Sequence, residues 1–132
     1  MKKLGTGQIY RTFKNEDENT VIRRLNVRIY CEKENINYTI CNKKWMIDFN
    51  DLMRHLNPKN YTERKTLPRL RTKETARKEW NSKHRRKIKR SIITTLCKRK
   101  KAFLYKHGRY NIINYDEFEK ELIKRLKEKN KY

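Results

Sequence analysis

Residues 88–122, IKRSIITTLCKRKKAFLYKHGRYNIINYDEFEKEL, change their hydrophobic period twice, and those changes decide the fold. Ile92, Ile93 and Leu96 share one side of a helix expected over about 90–101. The β-prone runs 103–105 and 110–113 flank His107-Gly108-Arg109, a hairpin signal in which Gly108 supplies a positive φ. Asn114, with Glu117 three residues on, reads as a capping box. The helix it opens carries Tyr115, Phe118, Leu122 and Leu126 at spacings of three and four. Upstream, Thr72 is the expected N-cap of a helix through about Asn81, with Ala76 and Trp80 four apart on one face. The basic turn Lys83-His84-Arg85-Arg86-Lys87 joins that helix to the next. The order is helix, basic turn, helix, two-stranded wing, closing helix.

Residues 27–56, VRIYCEKENINYTICNKKWMIDFNDLMRHL, repeat the ending. Tyr38-Thr39-Ile40 and Trp45-Met46-Ile47 flank Asn42-Lys43-Lys44, and Asp48 caps a helix expected to bury Phe49, Leu52 and Leu56. An ungapped offset of 66 lays residues 46–52 over 112–118 with apolar, polar and acidic positions in register. It also pairs Leu4 with Leu70, Thr6 with Thr72, Arg11 with Arg77, Asn15 with Asn81 and Cys31 with Cys97. The expected organisation is therefore two diverged copies, 1–57 and 69–132, with a linker over 58–68 bracketed by the only prolines, Pro58 and Pro68. The first copy begins less clearly. Ile9 and Phe13 stand one residue out of register with Ala76 and Trp80, and its next helix could start as early as Thr20.

Charge narrows the function classes. The 132 residues hold 37 Lys+Arg against 15 Asp+Glu, a formal net charge of +22, which makes nucleic acid the leading partner class. An apolar fraction of 35% allows only a thin core, while eight Tyr, four Phe and two Trp argue against plain disorder. No apolar run approaches the roughly 18 residues of a membrane span, and the N-terminus lacks the apolar stretch of a signal peptide. Three cysteines without metal-type spacing suggest free thiols in a reducing compartment. The expected location is cytoplasmic and nucleoid-associated, with no membrane partner. The charge is shared unevenly: residues 1–66 carry 14 basic and 8 acidic groups, net +6, and residues 67–132 carry 23 and 7, net +16. Between Glu79 and Asp116 lie 12 basic residues and no acid.

The two quoted stretches look like the DNA-binding modules of excisionases and MerR-type regulators. In that family a recognition helix precedes a wing with a Gly-basic-aromatic tip, then a strand and an acid-capped helix. His107-Gly108-Arg109-Tyr110 fits that tip, and Asn42-Lys43-Lys44-Trp45 departs from it by Asn in place of Gly, a residue that also tolerates the left-handed conformation. The resemblance implies an α+β, mainly helical fold of two tandem winged helix-turn-helix modules, each with a short two-stranded wing. It further implies that the second helix of each module enters a major groove. With Ile92 and Leu96 inward, the outward stripe of the second copy is Arg90, Thr94 and Lys98, with Lys101 near the same line. The first copy offers Arg24, Arg28 and Glu32. Arg24, Arg28 and Arg90 are the candidates for guanine edges, each with a phosphate contact or a solvated charge as its alternative. Arg85, Arg86, Lys87 and Lys89 in the turn, and Lys43, Lys44, His107 and Arg109 in the wings, complete the expected DNA-binding set.

The expected function is sequence-specific double-stranded DNA binding, as an excisionase-like architectural factor or a small transcriptional regulator of a mobile element or phage. A recombinase or another DNA-bound protein is a further expected partner. Two modules joined by 57–67, roughly 36 Å when extended, reach successive major-groove faces about 34 Å apart, which sets an expected footprint of roughly 20 base pairs. No enzyme activity, cofactor or metal is expected. Cys31 and Cys97 read as small core residues, His55 as an exposed one, and a zinc group of Cys31, Cys41 and His55 lacks paired ligand spacing. Asp48, Asp51, Asp116 and Glu117 stand at helix starts, where capping and the helix dipole explain them. Two alternatives stay open: an RNA-binding or ribosome-associated basic protein, with Trp45, Tyr105 and Tyr110 stacking on bases, and an interaction module for an acidic protein partner.

Overall fold

Side-chain caps start four of the described helices of this chain. A computed structural model describes residues 3–56, 67–99, 104–107 and 110–130. The chain divides into two units, Met1–Pro68 and Arg69–Tyr132. In the first, strand β1 (Lys3–Gly5) runs directly into helix α1 (Thr6–Glu16). A 3-10 turn, Ile22–Arg24, precedes helix α2 (Val27–Glu34), whose N-cap Asn26 accepts a hydrogen bond from the Ile29 amide at 3.3 Å. Asn35 closes α2 in the left-handed conformation, φ 56°. Strands β2 (Tyr38–Cys41) and β3 (Lys44–Asp48) form a hairpin. Helix α3 (Phe49–Leu56) follows, its start fixed by Asp48 Oδ1 accepting from the Asp51 amide at 3.2 Å.

The second unit repeats the order. Strand β4 (Leu70–Thr72) leads into helix α4 (Lys73–Lys83), then come helix α5 (Arg90–Arg99), strands β5 (Leu104–His107) and β6 (Tyr110–Asn114), and helix α6 (Tyr115–Glu128). Thr72 and Thr75 cap α4 reciprocally: Thr72 Oγ1 accepts from the Thr75 amide (3.2 Å) and Thr75 Oγ1 from the Thr72 amide (2.8 Å). Asn114 Oδ1 accepts from the Glu117 amide at 3.3 Å to start α6. The fold is thus α+β and mainly helical, with a small antiparallel sheet in each unit.

Each sheet has three strands where a two-stranded wing is expected. The order is β1-β3-β2 in the first unit and β4-β6-β5 in the second. Leu4 lies opposite Ile47, and Arg71 opposite Ile113. The extra strands are three residues long, too short to show a period of two, and only pairing with β3 or β6 defines them.

Register corrects the ungapped repeat. From α2 onward the offset of 66 holds: Val27, Tyr30 and Cys31 are buried as Ile93, Leu96 and Cys97 are. In the first strand and helix the equivalent residues are 67 apart, so Leu4 matches Arg71 and Phe13 matches Trp80. The identities Leu4/Leu70, Thr6/Thr72, Arg11/Arg77 and Asn15/Asn81 therefore pair residues that occupy different places. The first unit carries one residue more between its first and second helices. A helix starting at Thr20 is also not found, because the 3-10 turn and the Asn26 cap take that stretch.

Each unit buries its own apolar set. In the first, Ile9 and Phe13 of α1 and Leu52 and Leu56 of α3 are essentially inaccessible. Tyr10 ties the long connector down: its hydroxyl donates to the Leu25 carbonyl (3.3 Å) and accepts from the Val27 amide (3.4 Å). In the second unit Trp80 sits at the centre with Ala76, Ile93, Phe118 and Leu122, and Phe118 meets it edge-on at 6.4 Å. Truncating a side chain as large as Trp80 costs about 3–5 kcal/mol.

Candidate nucleic-acid interface

The connector between α4 and α5 is held by side chains of α4. Trp80 Nε1 donates to the Arg86 carbonyl at 2.7 Å. Asn81 grips Ile88 twice, accepting from its amide (2.8 Å) and donating to its carbonyl (3.2 Å). The Lys87 ammonium also donates to the Asn81 carbonyl. A polar backbone stretch is thereby satisfied without secondary structure of its own. Ile88 is buried, while Arg85, Arg86, Lys87 and Lys89 are exposed.

Helix α5 turns Ile93, Leu96 and Cys97 into the core. This rotates the outward face from the expected one. Ile92, expected inward, is only half-buried, and Thr94 is half-buried rather than outward. Ser91, Thr95 and Lys98 are the residues facing away from the core, with Arg90 exposed at the first turn. The expected phase paired Ile92 with Leu96, four apart. Ile93 with Leu96 and Cys97, at spacings of three and four, was the signal that would have found Ser91 and Thr95.

Acids of the second unit are gathered elsewhere. Arg69 binds Asp116 (Nε to Oδ1, 2.6 Å) and Glu119 (Nη2 to Oε1, 3.2 Å), and lies 3.5 Å from Glu79. Its guanidinium also sits 4.9 Å from the centre of the Tyr115 ring. Partial burial by itself disfavours the Arg69 cation, but bonding and attraction to Asp116 and Glu119 outweigh it, so its pKa is raised overall. Arg71, buried, pairs with Glu79 at 2.7 Å, and Lys83 reaches the same carboxylate at 3.1 Å. His84 stacks on Trp80 (3.6 Å) and bonds Glu119 at 3.0 Å. Burial raises the Glu119 pKa, but the hydrogen bond with His84 and the pull of Arg69 prevail and hold it below the usual carboxylate range. Glu74 pairs with Arg77. Among the described residues, no ion pair links a carboxylate to Arg85, Arg86, Lys87, Lys89, Arg90 or Lys98.

The first unit presents a different face at the same place. Arg24 is exposed but lies in the 3-10 turn, not on the second helix as expected, because Asn26 caps that helix two residues later. Arg28 of α2 is exposed, with its guanidinium 6.0 Å over the Trp45 ring, which in turn stacks on Tyr38 at 4.2 Å. Ile29 is 52% exposed and Glu32 and Lys33 are exposed beside it. Lys43 and Lys44 are exposed at the hairpin, where Asn42 (φ 51°) and Lys43 (φ 64°) both take the left-handed conformation of a tight hairpin turn. In the second hairpin, Lys101, Gly108 and Arg109 lie outside the described residues, as does the side chain of His107.

The nucleophile and metal candidates fall into other roles. Cys31 and Cys97 are buried and Cys41 is exposed. Burial, with the Asp51 charge, pushes the Cys31 thiol up to about 12, and burial pushes Cys97 up to about 11. His55 is not simply exposed: it lies 3.5 Å from Glu34 and meets Tyr30 edge-on. Among the described residues no group of three His, Cys, Asp or Glu could hold a metal ion, and no helix is long and apolar enough to cross a membrane. Asp51 Oδ2 accepts from the Asn37 amide at 2.9 Å, so the Asp48–Asp51 pair is spent on backbone. Comparison with protein-family models, curated proteins and solved structures finds no match for this chain.

Proposed function

We propose that each unit is a winged helix-turn-helix and that the chain binds double-stranded DNA sequence-specifically, as an excisionase-like architectural factor or small transcriptional regulator. Helix α5 would lie in a major groove, with the connector cations on the flanking phosphates. One observation carries this reading: the six cations from Arg85 to Lys98 stand exposed on connector and helix, and among the described residues none of them forms an ion pair with an acid. In the same unit, the acids Glu79, Asp116 and Glu119 are bound by Arg69, Arg71, Lys83 and His84. A merely solvated basic surface would gain from interspersing those charges, whereas a phosphate-binding one gains from keeping them apart. Ser91 and Thr95 are the short side chains that let α5 approach base edges, with Lys98 and Arg90 beside them.

Selection of bound sites from a random duplex pool tests it. Thr95→Ala and Arg90→Ala are expected to relax the selected sequence at defined positions, and Arg86→Ala to weaken all sites alike. With six phosphates neutralised, affinity falls about a thousandfold between roughly 50 and 200 mM salt. Preference for a hairpin RNA over duplex in direct competition at physiological salt would overturn the reading.

A further inference from the structure

Between the connector, the first half of α5 and the last turns of α6 lies a groove of about 220 Å³. Its floor is apolar: Ile88, Ile92, Leu122 and Leu126. Its charges are Arg86, Arg125 and Lys129, and among the described residues no acid lines it. That composition is selective even in so basic a chain. Helix α6 carries Asp116, Glu117, Glu119, Glu121 and Glu128, yet of its charged residues Arg125 lines the groove, joined by Lys129 just beyond the helix. The α5 wall supplies Ser91 and Thr95, hydroxyls that can accept or donate.

Size and chemistry select the occupant. Small-molecule sites run to about 300–1,000 Å³, so this groove takes one or two side chains rather than an enclosed ligand. Phosphate offers the rim its charge but leaves the apolar floor uncovered. A short helical segment with leucine-like side chains on one face and carboxylates beside them satisfies both. We propose that this groove is the docking site for an acidic amphipathic segment of a protein partner. The apolar side chains of that segment cover Ile88, Ile92, Leu122 and Leu126, and its carboxylates meet Arg86, Arg125 and Lys129. The groove shares Arg86, Ser91 and Thr95 with the proposed DNA face, whereas Arg125 and Lys129, on the closing helix and just beyond its end, are the charges that belong to peptide docking alone.

The probe is a fluorescein-labelled helical peptide with Leu at every third or fourth position and Glu between, titrated with the full chain in the absence of DNA. Two controls accompany it: the same peptide with Leu replaced by Ser, and the Arg125→Gln/Lys129→Gln double variant, its folding checked by thermal melting. The proposal expects the Leu peptide to bind and the Ser peptide to lose at least about tenfold. It expects the double variant to lose a similar factor for the Leu peptide while duplex affinity stays within about twofold. Equal binding of Leu and Ser peptides would show charge attraction alone and overturn it. So would a loss of duplex affinity as large as the loss of peptide affinity, which would make the groove part of the DNA surface. Should the wild-type chain bind no duplex at all, the peptide titration still decides the groove.

Discussion

Arg71 is the residue at which the two units diverge most. It is buried opposite Ile113, where Leu4 faces Ile47 in the first unit, and its partner Glu79 stands where the first helix has Thr12. An apolar and a polar solution thus occupy one position of one fold. Removing one member of a buried pair leaves the other charge stranded, at about 3–5 kcal/mol, whereas replacing both with fitting groups costs far less. Glu79→Ala should therefore destabilise the second unit in urea more than the double variant Arg71→Leu/Glu79→Thr, which copies the first unit. Glu119 adds a pH dependence. Its carboxyl ionises below the ordinary glutamate value, so its stabilisation is complete above roughly pH 4.3 and disappears as pH falls through its lower folded-state pKa. Melting temperature should drop below about pH 4 in the native chain, and Glu119→Gln should flatten part of that drop.

Elements built on local chemistry were legible in the residues. Thr72, Asp48 and Asn114 cap the helices they were expected to cap, and Ala76, Trp80, Phe118 and Leu122 are buried as their spacing required. Elements fixed by tertiary pairing were not. β1 and β4 exist only through the hairpins beside them, and the phase of α5 depends on which of two neighbouring isoleucines packs on Trp80. The slip from 66 to 67 showed in Ile9 and Phe13, one residue out of register with Ala76 and Trp80, against chance identities at 66 in a chain rich in Lys and Asn. The first hairpin offers an element-level test. Lys43 holds φ at 64° without being glycine, a cost of about 1 kcal/mol that Lys43→Gly removes. That variant should melt at a higher temperature than the native chain, and Asn42→Val, which puts a β-branched residue at φ 51°, at a lower one.

Across the whole molecule, one fold carries two surface chemistries. Lys98 on α5 corresponds to Glu32 on α2, Thr95 to Ile29, and the connector cations have no counterpart of similar density in the first unit. The second unit should supply most of the duplex affinity and most of its salt sensitivity. Glu32→Lys gives the first unit the residue its counterpart already has. It should raise duplex affinity and steepen the dependence of log affinity on log salt by roughly one, read by anisotropy across a salt series. An unchanged slope would place α2 away from DNA.

The three thiols differ in a way that chemistry can exploit directly. Two are buried, with their thiolates suppressed to pKa values of about 12 and about 11, and the third, Cys41, is exposed at the end of β2 beside Asn42, Lys43 and Lys44. A maleimide dye added at neutral pH will therefore attach at a single native position, with no cysteine removed or introduced. That position is the tip of the first hairpin, so the brightness of the dye on adding duplex reports whether the weakly charged unit takes part in the proposed DNA binding.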